Sequence, residues 1–294
     1  MTSSADVAVI AKAQRARRLA ELRARERLRP ALELYDQRVA TLNVAGDPEP
    51  LVTGLSWLTS IFRSSYAIVL KQIEDSGKTG IQAQNAIKRS AGTNFQGLCE
   101  YAISLWLENE GLPVAIAPNA PVALRDELTI HGIDNGSEFS VEPDIDICLW
   151  RPDDDPLSPI IFVSAKSSLV DRAGQAARWK MYLDLQQTTC TYIPLVPDCP
   201  VRRTKVKMKT RRKITHCIVT ANIYKIDTTL PQGELSSGQC RNNTFMFEHR
   251  FSTRNDPAEV RPAGWNSFAE FPALVTAVFT SPPVAAATPL TIGP

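Results

Sequence analysis

Val141–Gln175 reads VEPDIDICLWRPDDDPLSPIIFVSAKSSLVDRAGQ, two apolar strands joined by an acidic, proline-rich connection. The first strand, in EPDIDICLW, bears Asp144 and Asp146; the second, Ile160 to Lys166, ends in a lysine. Successive strand side chains alternate between faces, so Asp144 and Asp146 share one face, and Ser164 and Lys166 share another. If the strands pair as neighbours, the acids and the lysine converge on one point. Hard divalent cations take oxygen ligands, and hydrolysis of a phosphate ester needs a cation to orient water and offset developing charge. A lysine beside that cation lowers the cost of forming hydroxide or the pentavalent phosphate. Asp153 to Asp155, set among prolines, read as an exposed loop.

Outward from this hairpin the pattern stays mixed. Residues 7–36 are rich in Ala, Arg, Leu and Glu and predict a long helix restarted at Pro30. Asn43–Pro50 is a turn or short linker, and Leu51–Ile73 carries apolar and aromatic residues at helical spacing. Lys78–Glu110 predicts a helix with a glycine pause at Gly92, ended by Gly111-Leu-Pro. Pro113–Ile116 and Leu128–Ile133 predict short strands entering the sheet. Beyond Lys166 the pattern predicts a helix from Leu169 to Gln187, then strands at Thr191–Val196 and Ile214–Ile226. Strands separated by helices describe an α/β fold with a mixed central sheet flanked by helices.

Pro143-Asp144, nineteen intervening residues, then Ser164-Ala165-Lys166 resembles the signature of the PD-(D/E)XK nuclease superfamily, with serine where that family carries Asp or Glu. The run Lys166-Ser-Ser-Leu-Val-Asp171-Arg172 is similar to the lysine-to-acid-arginine run of certain type II restriction endonucleases. Upstream, Ser90-Ala-Gly-Thr-Asn-Phe95-Gln96 is similar to the glycine-containing helix that brings a Glu or Gln to their active site. The resemblance covers roughly Ser90 to Arg178. It implies a restriction-endonuclease-like fold, Mg²⁺ as cofactor and hydrolysis of duplex DNA. It makes Asp144 a metal ligand and Lys166 the residue that positions or activates water, with Gln96 and Ser164 beside them. Serine cannot supply a carboxylate, so Gln96, Glu100 or Asp146 must complete the metal shell. Gln96 and Glu100 sit i, i+4 on one helix face.

Composition limits the rest. The 294 residues can bury a large core, with 44% hydrophobic and 22% charged residues, ordinary for a globular protein. The six cysteines form no CxxC pair, which argues against structural zinc and for a reducing cytoplasm, a prokaryotic one being what the resemblance implies. No targeting segment or membrane span is predicted. Residues 1–75 are expected to form a helical region, a subdomain or an arm; 76–280 the catalytic domain; and 281–294 a Pro- and Ala-rich tail.

Net charge is only +2, but its distribution is uneven. Lys12–Arg29 carries eight basic residues against Glu21 and Glu26, and Arg202–Lys213 carries eight and no acid. Arg202, Arg203, Lys205, Lys207, Lys209, Arg211, Arg212 and Lys213 are expected to hold DNA phosphates, giving salt-dependent affinity without sequence information. In the resembling enzymes the acid-arginine pair, here Asp171 and Arg172, enters the major groove. Arginine suits guanine O6 and N7 and a carboxylate suits cytosine N4, so the pair suits G·C pairs. Some of the resembling enzymes read a CCGG-type core with it, so the resemblance implies a GC-rich, CCGG-like palindrome and a two-fold dimer. Two alternatives stay open: a structure-selective repair or mobile-element nuclease, and a non-catalytic DNA-binding protein with a degenerate nuclease fold.

Overall fold

The computed structural model describes residues 3–77, 79–134, 137–167, 173–187, 208–221, 244, 246–255 and 264–281. Five helices lead the chain: α1 (Ser4–Arg23), α2 (Arg29–Val44), α3 (Pro50–Leu55), α4 (Leu58–Asp75) and α5 (Gly80–Asn109). Ser3 and Asp6 form a capping box that satisfies the first turn of α1. The chain turns at Ala24–Leu28 and restarts with Pro30 in the first turn of α2, where its missing N–H costs nothing. The long α5 runs through Gly92 without the expected pause, because Phe95, Leu98, Cys99, Ala102 and Trp106 bury one continuous stripe.

A six-stranded sheet follows, in the order β1-β4-β5-β6-β7-β8. These are β1 (Ala115–Ala117), β4 (Ile147–Trp150), β5 (Ile160–Lys166), β6 (Ile214–Thr220), β7 (His249–Ser252) and β8 (Asn266–Ser267). The first two pairings are antiparallel and the remaining three parallel, so the sheet is mixed. A short helix, α6 (Arg125–Leu128), precedes a separate hairpin of β2 (Ile130–Asp134) and β3 (Ser137–Val141). The Leu128–Ile133 segment therefore does not enter the central sheet as expected; it pairs with residues 137–141 instead. Helix α7 (Ala173–Gln187) lies in the chain between β5 and β6, and α8 (Phe271–Thr280) closes the described chain.

Two apolar layers cover the sheet. On one face Ile147, Leu149, Ile161, Val163, Cys217 and Val219 join Leu19, Leu22, Leu58, Phe95, Ile103 and Phe271 in one cluster. The helices of the first 75 residues thus share a core with the sheet. On the other face Cys148, Trp150, Ile160, Phe162 and Ile214 meet Ala115 and Leu183. Gly97 allows close approach on the first face: a Cβ there would lie 2.7 Å from Leu28 Cδ2.

The basic stretch of α1 also turns inward. Arg15 Nη1 donates to the carbonyls of Leu112 and Val114, at 2.8 and 2.5 Å, tying α1 to the α5–β1 connection. Arg18 grips the fully buried Glu100. Among the described residues no helix is long and apolar enough to cross a membrane. Leu169–Arg172 of the expected helix, the strand at Thr191–Val196, the far end of the Ile214–Ile226 strand and the tail from residue 282 lie outside the described residues.

Candidate active site

The β4–β5 hairpin brings the acids and the lysine together, with one change of role. Strand β4 begins at Ile147, so Asp144 and Asp146 precede the strand instead of riding on it. The reason is visible at Asp146. Its side chain, not its backbone, meets β5: Ala165 N–H donates to Asp146 Oδ2 at 2.9 Å. Lys166 Nζ reaches the same oxygen at 2.7 Å. The nearest carboxylate partner of Lys166 is therefore Asp146.

Burial sharpens this pair. The Lys166 side chain is 4% exposed and that of Asp146 is 15% exposed. Burial raises the Asp146 carboxyl above its ordinary value; Lys166 opposes that shift, and the charge of Asp144 adds to it. Asp144 itself is exposed, and its Oδ2 accepts from the Gln175 side-chain amide on α7. On the opposite face of the sheet Gln96 reaches in from α5, and its amide donates to the Asp146 backbone carbonyl.

The remaining expected residues divide. Glu100 is spent elsewhere: Arg18 Nε and Nη2 donate to its two carboxylate oxygens at 2.5 and 2.8 Å. A carboxylate so clamped is a structural anchor, not a spare ligand. Burial still raises its pKa, with Arg18 pulling the other way. Ser164 is buried and turns to β6, its Oγ 2.9 Å from His216 Nε2. That imidazole packs edge-on against Phe162 and Phe247. Burial, then Lys180 and Lys166, push its pKa down to about 3, so it is neutral at pH 7.

The Asp171–Arg172 pair and, of the basic run, Arg202, Arg203, Lys205 and Lys207 lie outside the described residues. Arg212 is correctly placed in the run but not at the surface. It is 3% exposed, its Nε donates to Glu127 Oε2 at 3.2 Å, and its Nη1 donates to the Ser158 carbonyl at 3.3 Å. An arginine enclosed this way cannot reach a phosphate. Asp153, expected in an exposed loop, is drawn into the same network: Ser158 Oγ donates to it at 2.7 Å, and its side chain is 11% exposed. Lys209 pairs with Asp126 at 2.9 Å on the surface, while Arg211 and Lys213 are exposed.

Two site residues were not anticipated from sequence. Gln175 had no signal beyond its place early in α7. His216 had one: it lies on a β-branched strand, with neighbours Phe162 and Ser164 one strand away. Neither the protein-family models nor the curated proteins compared with this sequence match it.

Proposed function

We propose that this chain is a Mg²⁺-dependent endonuclease of the restriction-endonuclease kind, making double-strand cuts in DNA at a specific sequence. The carrying observation is the convergence of Lys166 and Asp146 at 2.7 Å, with Asp144 alongside, at the open end of two paired strands. The substrate class follows from the PD-(D/E)XK resemblance, as do a GC-rich palindromic site and a dimer on DNA.

The donor set suits the cation. Mg²⁺ is held by one or two carboxylates, keeps several waters, and completes its shell with substrate oxygens. Asp144 and Asp146 supply two such carboxylates. Both described partners of the Asp146 carboxylate fall on Oδ2, which leaves Oδ1 for a ligand. When bound, Mg²⁺ offsets phosphate charge and makes water more acidic. Lys166 holds an ammonium at the same carboxylate, where it can orient water or donate toward a phosphate oxygen. Gln96 fixes the Asp146 backbone, and Ser164 serves as a bonded link to β6.

A non-catalytic DNA-binding protein on the same fold is the second reading. One observation favours it: position 164, where a second acid would stand, holds a serine already bonded to His216. Incubation with unmethylated phage DNA and Mg²⁺, beside Asp144→Ala and Lys166→Ala variants, separates the readings. Discrete bands lost in both variants support the endonuclease. A smear lost in the variants points to a structure-selective or nonspecific nuclease. Intact DNA with retained binding supports the second reading, and equal cleavage by Lys166→Ala and the parent chain overturns the mechanism.

A further inference from the structure

Gln175 is the third residue of α7, and its side-chain amide donates to Asp144 Oδ2 from 31 positions further along the chain. Asp144 is exposed, so its carboxylate would otherwise be free to rotate among several rotamers. The helix that carries Gln175 is firmly seated beside it. Ala176 is buried in a cluster with Ile218, Phe247 and Trp265, and Leu183 joins the apolar layer on the same face. An anchored backbone holding a neutral donor against a mobile acid is a positioning device.

The chemistry of the donor matters. A lysine or arginine would fix Asp144 equally well, but its charge would compete with a cation for the same carboxylate. An amide fixes the oxygen and leaves the full negative charge for a ligand. Gln96 bonds Asp146 from α5, across the sheet, but through its backbone carbonyl, while the Asp146 carboxylate is held by Lys166 and the Ala165 N–H. Asp144 is thus the acid of the pair whose carboxylate is held by an uncharged side-chain amide.

We propose that Gln175 is a positioning residue that orients Asp144 for a divalent cation without neutralising it. This rests on the reading of Asp144 and Asp146 as cation ligands. Residues that orient metal ligands typically contribute about 10–100-fold to metal affinity.

Calorimetric titration of Mn²⁺, a spectroscopically convenient stand-in for Mg²⁺, into the full chain tests it without relying on activity. The parent chain binds, and Asp144→Ala loses binding. Gln175→Ala keeps the stoichiometry but weakens the apparent Kd about tenfold or more. Gln175→Lys, which retains a donor and adds a charge, weakens it further still. In cleavage assays the Mg²⁺ concentration for half-maximal rate rises by the same factor in Gln175→Ala, while the rate at saturating Mg²⁺ stays near that of the parent. Binding by Gln175→Ala equal to the parent, with Asp144→Ala defective, overturns the positioning role and leaves the cation reading intact. Absence of binding by the parent, or binding unaffected by Asp144→Ala, overturns the cation reading and this proposal with it.

Discussion

Lys166 Nζ sits 2.7 Å from Asp146 Oδ2, and that oxygen also accepts from the Ala165 backbone N–H at 2.9 Å. The lysine thus meets its carboxylate across the hairpin, where the strand ladder has ended. A residue of β4's approach takes the position beside the lysine that an acid on β5 would otherwise hold. Since Ser164 is turned away to His216, the electrostatics of this edge rest on the Asp146–Lys166 pair and on Asp144.

Removing either partner should therefore destabilise the fold, and unequally. Asp146→Asn leaves a buried ammonium without a counter-charge and should cost about 3 kcal/mol. Lys166→Met leaves a carboxylate that keeps its Ala165 bond and can take up a proton, so about 1–2 kcal/mol is expected. Urea denaturation of both variants and of the double variant measures the coupling. The double variant should cost less than the two singles added together. Strict additivity would show that the pair does not interact.

Ser164 gives a contrasting case, since its hydroxyl is committed to His216. Ser164→Ala should cost about 1–3 kcal/mol in stability, because His216 Nε2 loses its partner in a dry interior. Its affinity for Mn²⁺ should stay within about threefold of the parent. A large loss of metal affinity with unchanged stability would make Ser164 a ligand and contradict its placement.

The hairpin was legible in sequence because its signals are local. Ile160–Lys166 is a run of apolar residues bounded by proline and a charge, and it forms β5 with those limits. Pro30 restarted a helix for an equally local reason. What sequence could not show is where polar side chains spend their bonds. Glu100 lies four residues from Gln96 on one helix, yet Arg18, 82 positions earlier, claims it. Arg212 sits in an unbroken basic run, yet Glu127 and Ser158 enclose it. Both outcomes depend on long-range partners that no periodicity reports. The same holds for β7 and α8, short elements whose apolar residues become strand and helix only against the core they complete.

The basic run should therefore divide by role. Arg212→Ala should cost about 1–3 kcal/mol in stability, since the enclosed guanidinium's bonds to the partly exposed Glu127 and to the Ser158 carbonyl are lost. Arg211→Ala and Lys213→Ala alter exposed side chains and should stay within about 0.5 kcal/mol of the parent. If these two residues contact phosphates, each substitution should lower the salt slope of DNA binding by about 1. Fluorescence anisotropy across a salt series reads that slope. Unchanged slopes in both variants would place the DNA contact elsewhere on the molecule.

His216 should leave a signature in the pH dependence of stability. Burial, with Lys180 and Lys166, holds its folded-state pKa down to about 3, against 6.5 for a free imidazole. Between those values the unfolded chain binds a proton that the folded chain refuses. The contribution is full above about pH 6.5 and falls as the pH drops toward 3, by about 1.4 kcal/mol per pH unit. Asp146 and Glu100, raised by burial, act in the opposite sense and lose stability as the pH rises through their window. Both acids are retained in His216→Gln, so subtracting its curve from that of the parent isolates the imidazole. Denaturation midpoints between pH 4 and 6 should show the parent losing stability faster on acidification than His216→Gln. Parallel curves would mean that the imidazole takes up its proton within the folded chain, which a site enclosed by Phe162, Phe247 and two lysines should forbid.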